Sequence, residues 1–424
     1  MADNFHPVRS ACLRIIREVE DGSPLDEAID RHFSSVPVLS SYKPLIYEIA
    51  AGVIRRKLYL DWVLSHFVKE RLKKDARHLL WMGLYQIFFM KKAAYHVVNE
   101  TVDYAKAEKG QGMANFVNAV LRRSIREKDR LILPRDPVTR LSVEHSFPRW
   151  LVARWYKRFG EEAAGQLLDL QNRSPVFTLR IDAGKITPED AARRLEDMGV
   201  KTEKGRFLKS ALSVDKVGPL IGSDLLKNRL VYVQDEASQM AGLAVAPRPG
   251  EMVLEACAGQ GTKTDQIREE WPETRIVAMD RDGRKLHSVR GTACLVQGDV
   301  LKNPFKKGPF DSILLDAPCS SLGIIRKHPE IKWRRNERDI QTFGELQTEM
   351  IRSLREALRE GGHLIYSVCS FEPEETTGVM DKVIKEGLFE PEPALPMLNK
   401  DVCFLSLPHV SGMDGFFIAR LKKA

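Results

Sequence analysis

The chain is 424 residues long, 43% apolar and 29% charged, with a net charge of +8 and an isoelectric point near 9.0. That length suits two or three domains; no apolar run is long enough to span a bilayer, and no charged-then-apolar leader opens the chain. Six cysteines (Cys12, Cys257, Cys294, Cys319, Cys369 and Cys403) show no CxxC spacing, so neither a metal site nor a disulfide framework is expected, and a reducing cytoplasm fits.

The positive excess sits near the N-terminus: residues 1–134 carry 22 Lys+Arg against 16 Asp+Glu, and the remainder 44 against 42. Residues 1–130 read as helical. Val8, Ala11, Cys12, Ile15 and Ile16 recur at the spacing of one helix face, as do Ile46, Ile49 and Val53, then Leu80, Leu84, Ile87 and Phe88. Breaks at Gly22-Ser23-Pro24, Ser40-Ser41 and Gly110-Gln111-Gly112 separate the helices. The clusters Arg55-Arg56-Lys57, Lys73-Lys74, Lys91-Lys92 and Arg122-Arg123 are either solvated helix faces or a surface that tracks phosphates. His96–Val102 and Asn115–Arg123 resemble the signature of NusB-type RNA-binding domains, which implies an RNA-binding helical bundle over residues 1–134.

Residues 131–145, with Pro134 and Pro137, read as a linker. His145–Trp150 opens an amphipathic helix running through Trp155 and Phe159. Val176–Ile181 is strand-like, and Thr187-Pro188 is a helix start, with Thr187 as N-cap. Gln234–Gln239 closes this α+β module, residues 135–240, where Asp235 suits a cap as well as a functional role. From about residue 250 strands alternate with helices: Val253-Leu254, Arg275–Asp280, Cys294–Asp299, Phe310–Asp316 and His363–Ser370. This is the pattern of a doubly wound parallel sheet over residues 241–424, with Gly415–Leu421 as a terminal antiparallel strand. The expected fold class is α/β: a helical first domain, a small α+β module, and a Rossmann-like sheet.

A glycine turn, Ala256–Thr264, leaves the first strand of that sheet. Asp280 ends the second strand roughly twenty residues after Gly259, where an acid meets ribose hydroxyls, and Asp299 ends the third. The turn is neither an intact GxGxxG nor a P-loop, and it lacks an anion-cradling run of glycines. A phosphate-free nucleoside cofactor fits better, which points to S-adenosylmethionine; alternatively Gly259 and Gly261 serve only the turn.

Cys319 and Cys369 each end a strand on the carboxyl edge, where such sheets place ligands, and each precedes a serine. Cys257 and Cys294, inside strand segments, read as inert packing. A methyl donor beside thiols suggests a carbon acceptor that must first be activated, and C5 of cytosine is one. A thiolate adds to C6, an acid bonds N3, C5 takes the methyl group, and loss of the C5 proton frees the thiol. One of the two thiols must therefore sit where its thiolate is stabilised. Asp316 is placed for the N3 edge of an unstacked base. Arg326, Lys327, Lys332, Arg334 and Arg335, interleaved with Trp333, follow as a basic run that suits phosphate contact.

Residues 316–333 (DAPCSSLGIIRKHPEIKW) and 366–375 (YSVCSFEPEE) resemble the paired motifs of RNA cytosine-5 methyltransferases. With the NusB-like front end, nearly the whole chain resembles the RsmB (Sun, Fmu) family of 16S rRNA methyltransferases. The resemblance implies that Cys369 is the nucleophile, that Cys319 assists product release, and that Cys257, Ala258, Gly259, Gln260, Gly261, Thr262, Lys263, Asp280, Asp299 and Asp316 hold S-adenosylmethionine. The candidate RNA contacts are Arg326 and Lys332 in the basic run, and Arg122 and Arg123 on the helical domain. The chain departs from the family's Cys-Ala-Ala-Pro-Gly-Gly-Lys-Thr loop at Gly259, Gln260 and Thr262, and carries Ser321 where glycine is usual. The expected function is methyl transfer to C5 of a cytosine in 16S rRNA by a cytoplasmic monomer. The rival readings are a non-enzymatic RNA-binding assembly factor with a degenerate cofactor loop, and a methyltransferase acting on tRNA or DNA.

Overall fold

The computed structural model describes residues 6–36, 38–289, 291, 293–305, 307–396, 398 and 400–424. The chain divides into two compact units: residues 1–173 with 325–336, and residues 174–324 with 337–424.

The first unit is helical. Its helices His6–Glu20, Lys43–Ser65 and Lys74–Phe88 bury the faces that the periodicity marks: Val8, Cys12, Ile15, Ile16, Ile49, Val53, Leu80 and Leu84 are all within one core. Gly110 separates Ala94–Lys109 from Gln111–Glu127 with φ 85°, a left-handed angle that favours glycine. The linker expected over 131–145 is corrected: Pro137–His145 is a helix. Asp136 is its N-cap, accepting from Thr139 N at 2.9 Å, and Pro137 sits at the first turn, where a missing N–H costs nothing. The helix Arg149–Gln171 bends at Gly160 (φ 81°). Among the described residues no helix is long and apolar enough to cross a membrane.

Residues 325–336, which follow the Pro-Cys motif, are built into this helical unit. Trp333 Nε1 donates to Ile54 O at 2.8 Å, Arg55 donates to Arg326 O at 3.1 Å, and Glu330 Oε1 accepts from Leu25 N at 3.1 Å. The last bond caps the helix Leu25–Ser35, whose own N-cap, Pro24, makes no side-chain cap.

In the second unit, β1 (Phe177–Ile181), β2 (Thr202–Lys204), β3 (Ala211–Val214) and β4 (Val231–Val233) pair antiparallel in the order β2-β3-β1-β4. Thr187 caps the helix Pro188–Asp197 as its sequence requires, and Asp235 caps Glu236–Leu243. The larger sheet comprises β5 (Met252–Glu255), β6 (Arg275–Asp280), β7 (Cys294–Gln297), β8 (Phe310–Asp316), β9 (Leu358–Val368), β10 (Phe389–Glu392), β11 (Cys403–Ser406) and β12 (Phe416–Lys423). Its order is β10-β12-β9-β8-β5-β6-β7, with β11 on β12. Strands β7, β6, β5, β8 and β9 are parallel, and β12 runs antiparallel to β9.

Alternate residues along the central strands enter two cores. Leu254, Ile313, Leu315 and Leu364 pack on one face; Val253, Leu314 and Ile365 pack on the other. A sheet covered on both sides is expected of parallel strands. The strand order reverses between β5 and β8, so their carboxyl ends, at Glu255 and Asp316, flank the crevice where such sheets bind ligands. The small sheet packs on the helix that follows β5. Buried Arg180 of β1 pairs with Glu269 at 2.8 Å on the helix Thr262–Glu270, and Gln234 bonds Gln266 at 2.7 Å on that helix.

Candidate active site

Parallel pairing of β8 with β9 sets Asp316 opposite Ser367. Ser367 Oγ donates to Asp316 Oδ1 at 2.9 Å, and Ala317 N donates to Ser367 O at 2.9 Å. The chains leaving both strands then turn together, bringing Cys319 Sγ to 3.2 Å from Cys369 Sγ. Two glycines permit this approach. Gly323 N donates to Cys369 O at 3.1 Å and Gly415 N to Gly323 O at 2.9 Å. A Cβ on Gly323 would collide with the Gly415 carbonyl.

Ser321, where the family pattern has glycine, adopts φ 62°. A side chain there costs about 1 kcal/mol, which glycine avoids. Its hydroxyl lies 3.5 Å from Cys369 Sγ and 3.8 Å from Cys319 Sγ, so the serine gives both thiols a polar neighbour. The bond to Cys369, then burial, push the Cys319 thiol well above its ordinary range, which favours the S–H form.

The cofactor loop leaves β5 and enters the helix Thr262–Glu270. Gly259 (φ 55°) and Gly261 (φ 80°) both use left-handed angles, and a Cβ on Gly261 would press on Val289 at 2.5 Å. Gly259 N donates to Asp280 Oδ2 at 2.8 Å, so the acid ending β6 already holds this loop. Asp299, two residues beyond β7, caps a short turn by accepting from Leu301 N at 3.0 Å. Ala258 is buried, while Gln260 and Thr262, two of the departures from the family pattern, are exposed. The two glycines keep the turn without the proline that the pattern has. Cys257 lies just past β5 and not within it, half-buried and packed against one core of the sheet, while Cys294 is exposed at the start of β7, which corrects its reading as a packing residue.

Buried Lys263 donates to Asp316 Oδ2 at 2.5 Å. Burial alone would lower its pKa, but Asp316 and Glu255 outweigh that and raise it. Lys263 also lies in electrostatic reach of Cys369. Burial pushes Glu255, at the end of β5, up to about 7, against the pull of Lys263 and the bond from Thr264. Burial, followed by the charges of Asp280, Asp316, Glu255 and Asp299, pushes up the Cys257 thiol. The crevice is therefore lined with carboxylates, and Lys263 is engaged by Asp316. Such a donor set disfavours phosphates and suits a cationic nucleoside such as a sulfonium.

The proposed RNA residues divide. Arg122 and Arg123 are exposed on the helix Gln111–Glu127. Arg122 Nε bonds Asn118 at 2.8 Å, while Arg123 pairs with Glu127 at 3.3 Å and lies over the Phe67 ring. Arg326 and Lys332 are not on the surface, which corrects their reading as phosphate contacts. Arg326 is 5% exposed, with its backbone N bonded to Gln171 at 3.0 Å. Lys332 is fully buried; its amine donates to Arg55 O at 2.9 Å and Asn172 Oδ1 at 3.3 Å and lies 3.7 Å from the Phe147 ring centre. Burial, then Arg56, Arg55 and Lys57, drive its pKa well below the usual lysine value. An amine buried in this way is out of reach of a phosphate in solvent.

Sequence reasoning missed Glu255, Ser367 and a buried carboxylate, Glu375, that lies beneath the two cysteine turns. A signal was present: the dipeptide Cys-Ser occurs at both strand ends, at 319–320 and 369–370.

Residues 242–422 match the family described as 16S rRNA methyltransferase RsmB/F, residues 6–126 the NusB family, and residues 147–220 the ferredoxin-like domain of RsmF/B-like methyltransferases. The chain is 31% identical over 403 residues to the probable ribosomal RNA small subunit methyltransferase B of Bacillus subtilis, covering 89% of this chain and 90% of that one. It is 32% identical over 402 residues to the ribosomal RNA small subunit methyltransferase B of Pasteurella multocida, covering 90% and 88%. In fold it is similar to the crystal structure of PH0851, with a TM-score of 0.82 at 22% identity over 99% of both chains.

Proposed function

The chain belongs to the RsmB/F family of 16S rRNA methyltransferases, and on that premise we propose that it methylates C5 of a cytosine in 16S rRNA through a covalent bond from Cys369 to C6. The observation that carries this reading is the 3.2 Å approach of two strand-end thiols beside the Asp316–Lys263 pair. A single nucleophile would need no second sulfur at contact distance.

Asp280, Asp299 and the backbone of residues 257–263 would hold S-adenosylmethionine, and their acidic surroundings suit its sulfonium. When bound, the cofactor supplies an electrophilic methyl group. Attack of the Cys369 thiolate on C6 forms the S–C6 bond and shifts the C5=C6 electrons toward C5 as N3 takes a proton from solvent, and Asp316, oriented by Ser367 and Lys263, accepts from that N3–H. Lys263 is the cation facing the charge that develops on the Cys369 side. Once C5 carries the methyl group, a solvent base takes the C5 proton, the C5–H electron pair re-forms C5=C6, and the S–C6 pair returns to the Cys369 sulfur. Cys319, kept as S–H, then donates a hydrogen bond to the departing Cys369 sulfur. Residues 1–134 and 135–240 would dock the RNA, with Arg122 on phosphates, and the protein acts as a monomer.

The test is transfer of labelled methyl from S-adenosylmethionine to 16S rRNA, followed by nucleoside digestion and mass spectrometry. 5-Methylcytidine formed by wild type and absent with Cys369→Ala supports the reading. Wild type that binds 16S rRNA but forms none overturns it.

A further inference from the structure

The serine after each cysteine faces away from the thiols. Ser320 Oγ and Ser370 Oγ both donate to Glu375 Oε2, at 2.5 and 2.6 Å, and lie 3.3 Å from each other. Ser320 N donates to Glu375 Oε1 at 2.6 Å. Gln347 Nε2 donates to Pro318 O at 2.9 Å and lies 3.4 Å from Glu375 Oε1. The Tyr366 hydroxyl is 2.6 Å from the Glu375 carbonyl and 2.9 Å from Gln347 Oε1. All five side chains are fully buried.

One carboxylate thus accepts from both catalytic turns. Burial raises the pKa of Glu375, and the bonds from Ser320, Ser370 and Gln347 pull against it; all of these partners donate, the pattern that suits an ionised carboxylate. Taking such a charge out of water costs several kcal/mol, and an apolar side chain could fill the space without that cost. What an apolar residue could not do is bind two hydroxyls and an amide at once. Those three bonds fix the turns that carry the sulfurs.

We propose that Glu375 is a positioning residue of the methyl-transfer reaction: by accepting from the serine after each cysteine, it holds Cys319 and Cys369 at the separation that addition and release both require. The proposal rests on the roles given to the two cysteines above. The bonds of Glu375 to these turns go to Ser320 and Ser370, so its effect passes through them. Its negative charge also acts on the Cys319 thiol, in the direction that keeps it protonated.

The test uses the full chain with Glu375→Gln, which keeps the shape but turns one acceptor oxygen into a donor. Two readouts are taken: single-turnover methyl transfer to 16S rRNA, and the pH profile of iodoacetamide alkylation at Cys319 and Cys369, resolved by peptide mass spectrometry. The expected results are transfer slowed roughly tenfold to a hundredfold, affinity for S-adenosylmethionine within about twofold of wild type, and a Cys319 alkylation midpoint moved to lower pH. Wild-type transfer with wild-type alkylation profiles overturns the proposal. If wild type itself transfers no methyl group, the assigned function fails, and the alkylation profiles still decide whether Glu375 sets the thiols. Should Glu375→Gln not fold, Ser370→Ala carries the same two measurements, and unchanged rate and profiles there overturn the proposal.

Discussion

Cys319 and Cys369 are fifty residues apart in the chain, yet their sulfurs stand 3.2 Å from each other. Nothing local to either cysteine produces that contact. It follows from the parallel register of β8 and β9, from Gly323 against Gly415, and from a shared carboxylate beneath both turns. The neighbours of each sulfur are therefore open to separate perturbation.

Ser321 allows strain and chemistry to be separated. Ser321→Gly and Ser321→Ala both remove the hydroxyl beside the thiols, but only glycine relieves the φ of 62°. The glycine variant is expected to be more stable than the alanine variant by about 1 kcal/mol, with equal alkylation rates at Cys369 in both. Chemical denaturation gives the first comparison and alkylation the second. An alanine variant as stable as the glycine variant contradicts the strain.

Glu255 predicts a pH dependence. Its carboxyl titrates near 4.5 when unfolded and about 7 when folded, so the folded state holds the proton more tightly. The stability this adds is fully present below about pH 4.5 and is lost as pH rises through about 7. Glu255→Gln has no proton to lose. Its stability relative to wild type should rise between pH 5 and pH 8 by on the order of 2–3 kcal/mol. Parallel stability curves for the two proteins would contradict the raised pKa.

Lys332 and Arg122 are expected to fail in different assays. Lys332→Ala strips a bond from Arg55 O and packing from Phe147, and should destabilise the helical unit by about 2–4 kcal/mol. Arg122→Ala removes an exposed cation; stability should hold within about 0.5 kcal/mol, while 16S rRNA affinity falls and its log–log salt slope shrinks by about 1. Filter binding across salt concentrations and thermal melts distinguish the two. A Lys332→Ala protein that melts like wild type but binds RNA weakly would reverse the assignment.

Much of this architecture was legible before the structure. Helical spacing located the core of the first unit, and strand ends located Asp280, Asp316, Cys319 and Cys369, because periodicity and strand polarity are local properties. Within the basic run after Cys319, the buried Lys332 defies its local reading because its partners are not local: it bonds a carbonyl 277 residues away. A lysine in a charged run reads as solvated unless a distant backbone claims it. Asp136-Pro137 was misread as linker chemistry, although the same pair is a cap and a first turn. Glu375 is one of several acids in its segment, and only the folded position of Ser320 and Ser370 sets it apart.

The most direct measurement is a denaturing gel of Cys319→Ala incubated with 16S rRNA and S-adenosylmethionine. If Cys369 attacks C6 and Cys319 assists its release, a slow-migrating protein–RNA adduct accumulates, and adding Cys369→Ala abolishes it. An adduct that forms in Cys369→Ala and requires Cys319 would contradict that assignment and exchange the two roles.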